Sequence, residues 1–109
     1  MALSAEDRAF VAELFAGLED IEVRRAMAGV AVYSRGRVFA MMMGDGRIRL
    51  KARGALAEEL AAEGAEQFTY SRKDGRQVRT CYWTLPDAAL DDPDAAADWG
   101  RRALAAAYG

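Results

Sequence analysis

The chain has 109 residues, 52% of them hydrophobic and 29% charged, with a formal net charge of -2. That length suits one domain around one core, and the mix of apolar and charged residues excludes a disordered chain. There is no histidine and a single cysteine, Cys81, which removes the commonest general base, the usual catalytic triad, the commonest zinc ligand and any internal disulfide.

From the N-terminus, Met1 to Asp7 contains neither a basic leader nor an apolar span, so no export and no membrane association are expected. The lone cysteine adds the expectation of a reducing, cytoplasmic setting. Ser4 is placed to cap a helix whose positive end suits Glu6 and Asp7. Phe10, Val11, Leu14, Phe15 and Leu18 recur on one face of that helix, which is predicted to end near Leu18. From Val23 to Lys51 the sequence turns to valine, methionine, isoleucine and aromatic runs, broken at Ser34-Arg35-Gly36-Arg37 and at Gly44-Asp45-Gly46. These breaks predict three strands joined by two hairpins. In the third strand Ile48 and Leu50 alternate with Arg47, Arg49 and Lys51, the period of a strand with one apolar and one wet face.

Gly54 to Glu63 carries Leu56, Ala57, Leu60 and Ala61 at helical spacing, and Gly64 is placed to stop that helix in a left-handed conformation. Gln67–Arg72 and Gln77–Leu85 read as strands on either side of Asp74-Gly75, a strong hairpin signal. Pro86 suits a short helical turn. Asp92-Pro93 starts a last helix with Ala96, Trp99 and Ala103 inward, and with Arg101 and Arg102 near its negative end. The predicted class is α+β: two layers, a five-stranded antiparallel sheet with helices on one face, in the order α-β-β-β-α-β-β-α, as a single domain over residues 1–109. Charge follows this division. Residues 23–53 hold eight Arg/Lys against one Asp, whereas residues 1–22 hold one Arg against six acids.

Several stations resemble the N-terminal domain of the TfoX/Sxy family, bacterial proteins linked to the regulation of natural competence. The stretch Arg24-Arg25-Ala26-Met27-Ala28-Gly29-Val30-Ala31-Val32-Tyr33 stands where that family has a basic pair and a glycine-rich step. Arg24, Arg25, Gly29 and Tyr33 match, while Ala26, Met27, Ala28 and Ala31 depart from the pattern. Gly36 with Phe39-Ala40, Ile48-Arg49-Leu50-Lys51, Phe68-Thr69-Tyr70, Tyr82-Trp83-Thr84-Leu85-Pro86, Leu90-Asp91-Asp92-Pro93 and Trp99 continue the match. The resemblance implies a secretion-chaperone-like fold and a role in transcription-linked regulation. It also implies a stand-alone copy of this domain, without the helical C-terminal domain of full-length members.

The chemical motifs are sparse. Gly44-Asp45-Gly46 leads into a strand and not a helix, so it reads as a hairpin and not as a phosphate loop. Asp87, Asp91, Asp92 and Asp94 lack EF-hand spacing and suit capping and solubility. Cys81 without a histidine partner reads as a packing residue, as do most of Met41, Met42 and Met43, with Trp83 and Trp99 as anchors between the sheet and the last helix.

What remains is a candidate interaction surface of Arg24, Arg25, Arg47, Arg49, Lys51, Tyr70 and Tyr82, which Arg35, Arg37, Arg72, Lys73, Arg76 and Arg79 would enlarge. Basic and aromatic side chains together can neutralise phosphates and stack bases. With a sequence pI of about 5.2, however, nucleic-acid contact is expected to be weak or indirect. The sequence therefore points to a module with no catalytic, cofactor or metal site, whose partner is another protein or a second copy in a homodimer. The alternatives are a small ligand-binding protein or enzyme with a pocket the sequence does not reveal, or a weak direct nucleic-acid binder. Alternation places the heads of Arg47, Arg49 and Lys51 in water, so changing all three to Gln is expected to leave stability unmoved.

Overall fold

In the computed structural model, residues 3–27 and 29–109 are described. Helix α1 (Ala5–Leu14) starts on a capping box: the Ser4 hydroxyl accepts from the Asp7 amide at 3.1 Å, and the Ser4 amide donates to the Asp7 carboxylate at 2.8 Å. The helix stops four residues before the predicted end, because the chain after Leu14 must pass close to the last helix. A Cβ on Gly17 would lie 3.0 Å from that of Ala97. Phe15 and Leu18 leave the helix but still enter the core.

The sheet contains six strands: β1 (Ile21–Ala26), β2 (Gly29–Ser34), β3 (Arg37–Met43), β4 (Ile48–Lys51), β5 (Gln67–Ser71) and β6 (Gln77–Thr84), with helix α2 (Gly54–Ala62) between β4 and β5. All pairings are antiparallel, in the order β1-β2-β3-β4-β6-β5. The α+β class and the one-sided helices agree with the sequence reading, but the sheet has six strands, not five. The first predicted strand is divided into β1, which ends at Ala26, and β2, which starts at Gly29; Ala28, like Met1 and Ala2, lies outside the described residues. The hairpins at Arg35-Gly36, Asp45-Gly46 and Asp74-Gly75 are present, with positive φ at Arg35, Gly36, Gly46 and Gly75. Gly64 ends α2 as expected, with Ala65 N–H donating to Leu60 O and Gly64 N–H to Ala61 O, both at 3.0 Å.

A 3-10 turn (Asp87–Ala89) follows Pro86, and α3 (Pro93–Tyr108) starts where Asp92 accepts from the Asp94 and Ala95 amides. It buries Ala96, Ala97, Gly100 and Ala103, while Trp99 is only partly buried against the core. A Cβ on Gly100 would sit 2.7 Å from Leu18 Cδ1 and 3.1 Å from Phe39 Cε2, so this small-residue face lets the helix lie directly on the Phe39 ring. Phe39 meets Phe15 edge-on at 5.1 Å between ring centres. Arg101 and Arg102 fall in mid-helix, because the alanine-rich tail carries α3 on to Tyr108; Arg101 reaches the Gly17 carbonyl and Arg102 pairs with Glu59 of α2. No helix among the described residues is long and apolar enough to cross a membrane.

Gly29 supplies the joint between β1 and β2. Its φ is +150°, and an added Cβ would lie 2.1 Å from the Met42 carbonyl oxygen of β3. Gly29→Ala should therefore lower unfolding stability in urea by about 2–3 kcal/mol. Gly36→Ala, at φ +78° with nothing within 4 Å, should cost only about 1 kcal/mol.

Candidate interaction surface

Cross-strand register sorts side chains between the two faces. Val32, Ala40, Leu50 and Trp83 form one row across β2, β3, β4 and β6, and this row faces the helices. The adjacent row, Arg24, Ala31, Met41, Arg49 and Thr84, faces away from them. The core gathers on the first side only, so the second is a sheet face that none of the described helices covers. Tyr33, Lys51, Tyr70 and Tyr82 share its parity, and Phe68 reaches it over Arg49.

Arg49 is the centre of this face, and it corrects the expectation of a wet strand side. Its side chain is only 8% exposed. The guanidinium donates to both carboxylate oxygens of Asp45, Nη1 at 3.1 Å and Nη2 at 2.9 Å, and lies 5.0 Å from the centre of the Phe68 ring. The β3–β4 turn is thereby tied to β5, and Asp45 also accepts from the Arg47 amide at 3.0 Å. The guanidinium of Arg49, then the Arg47 N–H, hold the Asp45 carboxyl below the usual carboxylate range against the opposing effect of burial. Arg49 Nε is buried without a hydrogen-bond partner.

The other expected residues are distributed unevenly. Arg24 pairs with Glu22 at 2.8 Å and stacks 4.5 Å from the Tyr33 ring centre; the Glu22 hydrogen bond raises its already high pKa. Arg25 has the opposite parity, beside Val30, so the basic pair is split between the two sides of the sheet. Arg47 lies before β4, exposed and 4.0 Å from Glu66. Lys51 sits 5.4 Å from the Tyr108 ring centre, and the Tyr108 hydroxyl donates to Val38 O at 2.8 Å. Tyr70 is exposed, 6.2 Å from Phe68, while burial pushes the half-buried Tyr82 phenol up. The structure thus brings Arg24, Arg49, Tyr70 and Tyr82 to one face, with Lys51 at its margin against Tyr108 of α3, and leaves Arg25 and Arg47 off it. Asp45, Phe68, Tyr33 and Met41 join them there. For Asp45 the signal was its spacing to Arg49, four residues across a tight turn.

A family model described as the TfoX N-terminal domain matches residues 13–107, which takes in all six strands, α2 and most of α3. No curated protein matches the chain.

The burial of Arg49 changes what substitution should do. Arg49→Gln is expected to lower stability by about 1–3 kcal/mol, whereas Arg47→Gln should shift it by less than about 0.5 kcal/mol; chemical denaturation of each variant separates the two. Because the folded-state pKa of Asp45 is depressed, its stabilising effect is complete above the ordinary carboxylate range and is lost as pH falls through the folded value. Asp45→Asn should accordingly be less stable than the wild type at neutral pH, with the gap closing in acid.

Proposed function

The chain belongs to the TfoX N-terminal domain family, and from that premise we propose that it is a non-catalytic module that binds a protein partner through the helix-free face of its sheet. The observation that carries this reading is the composition of that face. Met41, Tyr33, Tyr82 and Phe68 are only partly buried there, with Met41 and Phe68 beside an arginine that Asp45 fixes. Methionine, aromatic residues and arginine are the side chains enriched at the centres of protein interfaces, where each buries much area at little cost in conformational freedom. The histidine-free sequence and a half-buried Cys81 support a binding role over an acid–base or nucleophilic one. The setting we propose is the cytoplasm, in a regulatory assembly of the kind the family resemblance implies.

A second reading, direct contact with nucleic acid, is favoured by one observation. The β5–β6 hairpin is exposed and carries Arg72, Lys73, Arg76 and Arg79, of which only Arg76 has an acidic partner, Asp74 at 3.5 Å, among the described residues. The acidic segments 1–22, 54–66 and 85–99 oppose that attraction at long range.

Two measurements separate the readings. Bait carrying Met41→Glu should lose a partner that wild-type bait retains from native extract, while Glu58→Gln on the exposed surface of α2 should keep it. Retention by the first and loss by the second would place the binding surface on the helices. Duplex DNA should bind only at low salt, and replacing Arg47 and Lys51 by Gln should reduce the salt slope by at most about two, since Arg49 is already committed to Asp45. Tight binding to a defined sequence at physiological salt would favour the nucleic-acid reading.

A further inference from the structure

The sheet ends at β1, whose outer edge pairs with nothing among the described residues. Its ladder with β2 fixes which backbone groups are free. The Arg35 amide donates to Asp20 O at 3.3 Å, which makes Asp20 and Arg35 a hydrogen-bonded pair. Alternation then turns Glu22 and Arg24 toward β2, and leaves the N–H and C=O of Ile21, Val23 and Arg25 pointing outward. An edge of this kind is a template for another strand.

We propose that this edge pairs with β1 of a second copy, antiparallel about a two-fold axis at Val23, to make one continuous twelve-stranded sheet. The charge order of the strand selects the occupant and the register. Centred on Val23, Glu22 of each copy stands opposite Arg24 of the other, in non-hydrogen-bonded sites where cross-strand side chains approach most closely. Every neighbouring symmetric register is penalised: centring on Glu22, Arg24 or Arg25 opposes like residues at the axis, and centring on Ile21 sets Glu22 against Asp20. Glu22 and Arg24 already form an ion pair within each chain, with side chains about half exposed at 54% and 53%. In the dimer the two pairs merge into a square of alternating sign. The same register brings Met27, fully exposed in the single chain, to the level of Glu19 in the other copy, beside the open hollow formed by Asp20, Ile21, Arg35 and Gly36.

The opposite edge lacks these properties. β5 has only five residues, with a register shift near its start, so it offers a shorter and less regular ladder. This inference uses the edge of the sheet and stands apart from binding through the open face. A two-fold axis perpendicular to the sheet does leave the open faces of both copies on the same side.

Sedimentation equilibrium and native mass spectrometry of the whole chain, up to millimolar concentration, test the pairing. Wild type should show a concentration-dependent dimer. Glu22→Arg and Arg24→Glu should each weaken it at least about tenfold, because the two-fold axis doubles each like-charge contact. The double exchange Glu22→Arg/Arg24→Glu should restore it, and the two single variants mixed should form a heterodimer. Val23→Pro, which removes an outward N–H at the axis, should abolish the dimer; circular dichroism of every variant checks that the fold persists. A wild-type chain that stays monomeric throughout, or a dimer unmoved by either single charge reversal, overturns the proposal.

Discussion

The structure depends on how closely α3 approaches the sheet. Ala96, Ala97, Gly100 and Ala103 present a face almost without side chains, and Phe39 fills the space they leave. A larger residue at Gly100 would displace Phe39 or Leu18, and through Phe39 the edge-on contact with Phe15. The turn after α1 obeys the same constraint, since Gly17 passes against Ala97. Strand β3 adapts to it: the register shift between Val32 and Tyr33 lets Phe39 and its neighbour Ala40 both be fully buried.

With all three helices on one side, the other side of the sheet must be stabilised from within. Arg49 does this by burying its aliphatic stem and guanidinium under Phe68 while Asp45 supplies the counter-charge from the adjoining turn. Such a clamp is polar where the opposite face is apolar, yet it ties the β3–β4 turn and β4 to β5 at once. It also explains why a residue of the basic stretch 23–53 is unavailable to solvent even though its strand alternates as an amphipathic strand should.

Features set by local chemistry were legible in the sequence. Ser4, Asp92-Pro93 and Gly64 mark helix ends through hydrogen bonds to near neighbours, and the three glycine hairpins stand where their residues require positive φ. The break between Ala26 and Gly29 was not legible, because no Asn-Gly or Asp-Gly pair announces it. Gly29 is needed there for its close approach to the Met42 backbone, a contact with a strand thirteen residues further on. The candidate face was legible in part. Alternation correctly grouped Arg49 with Lys51, but whether that side is wet depends on Phe68, which reaches Arg49 only after α2 has turned the chain back. Arg24 and Arg25 were read together as a basic pair, though adjacent residues of a strand cannot share a face.

Four of the five strand pairings join strands that are consecutive in the chain. The fifth, between β4 and β6, rests on three residue pairs from Arg49–Thr84 to Lys51–Tyr82 and must enclose α2 and β5. Loop-closure entropy is therefore concentrated at a single seam. By folding upon itself, α2 shortens the chain to be ordered across that seam, and the Ala52 amide, donating to Cys81 O at 2.7 Å, continues the join just beyond the last strand pair. The domain is in this sense a local four-stranded meander and a local hairpin, made one folding unit by this seam and by α3, which follows the hairpin and packs back on Phe39 of β3.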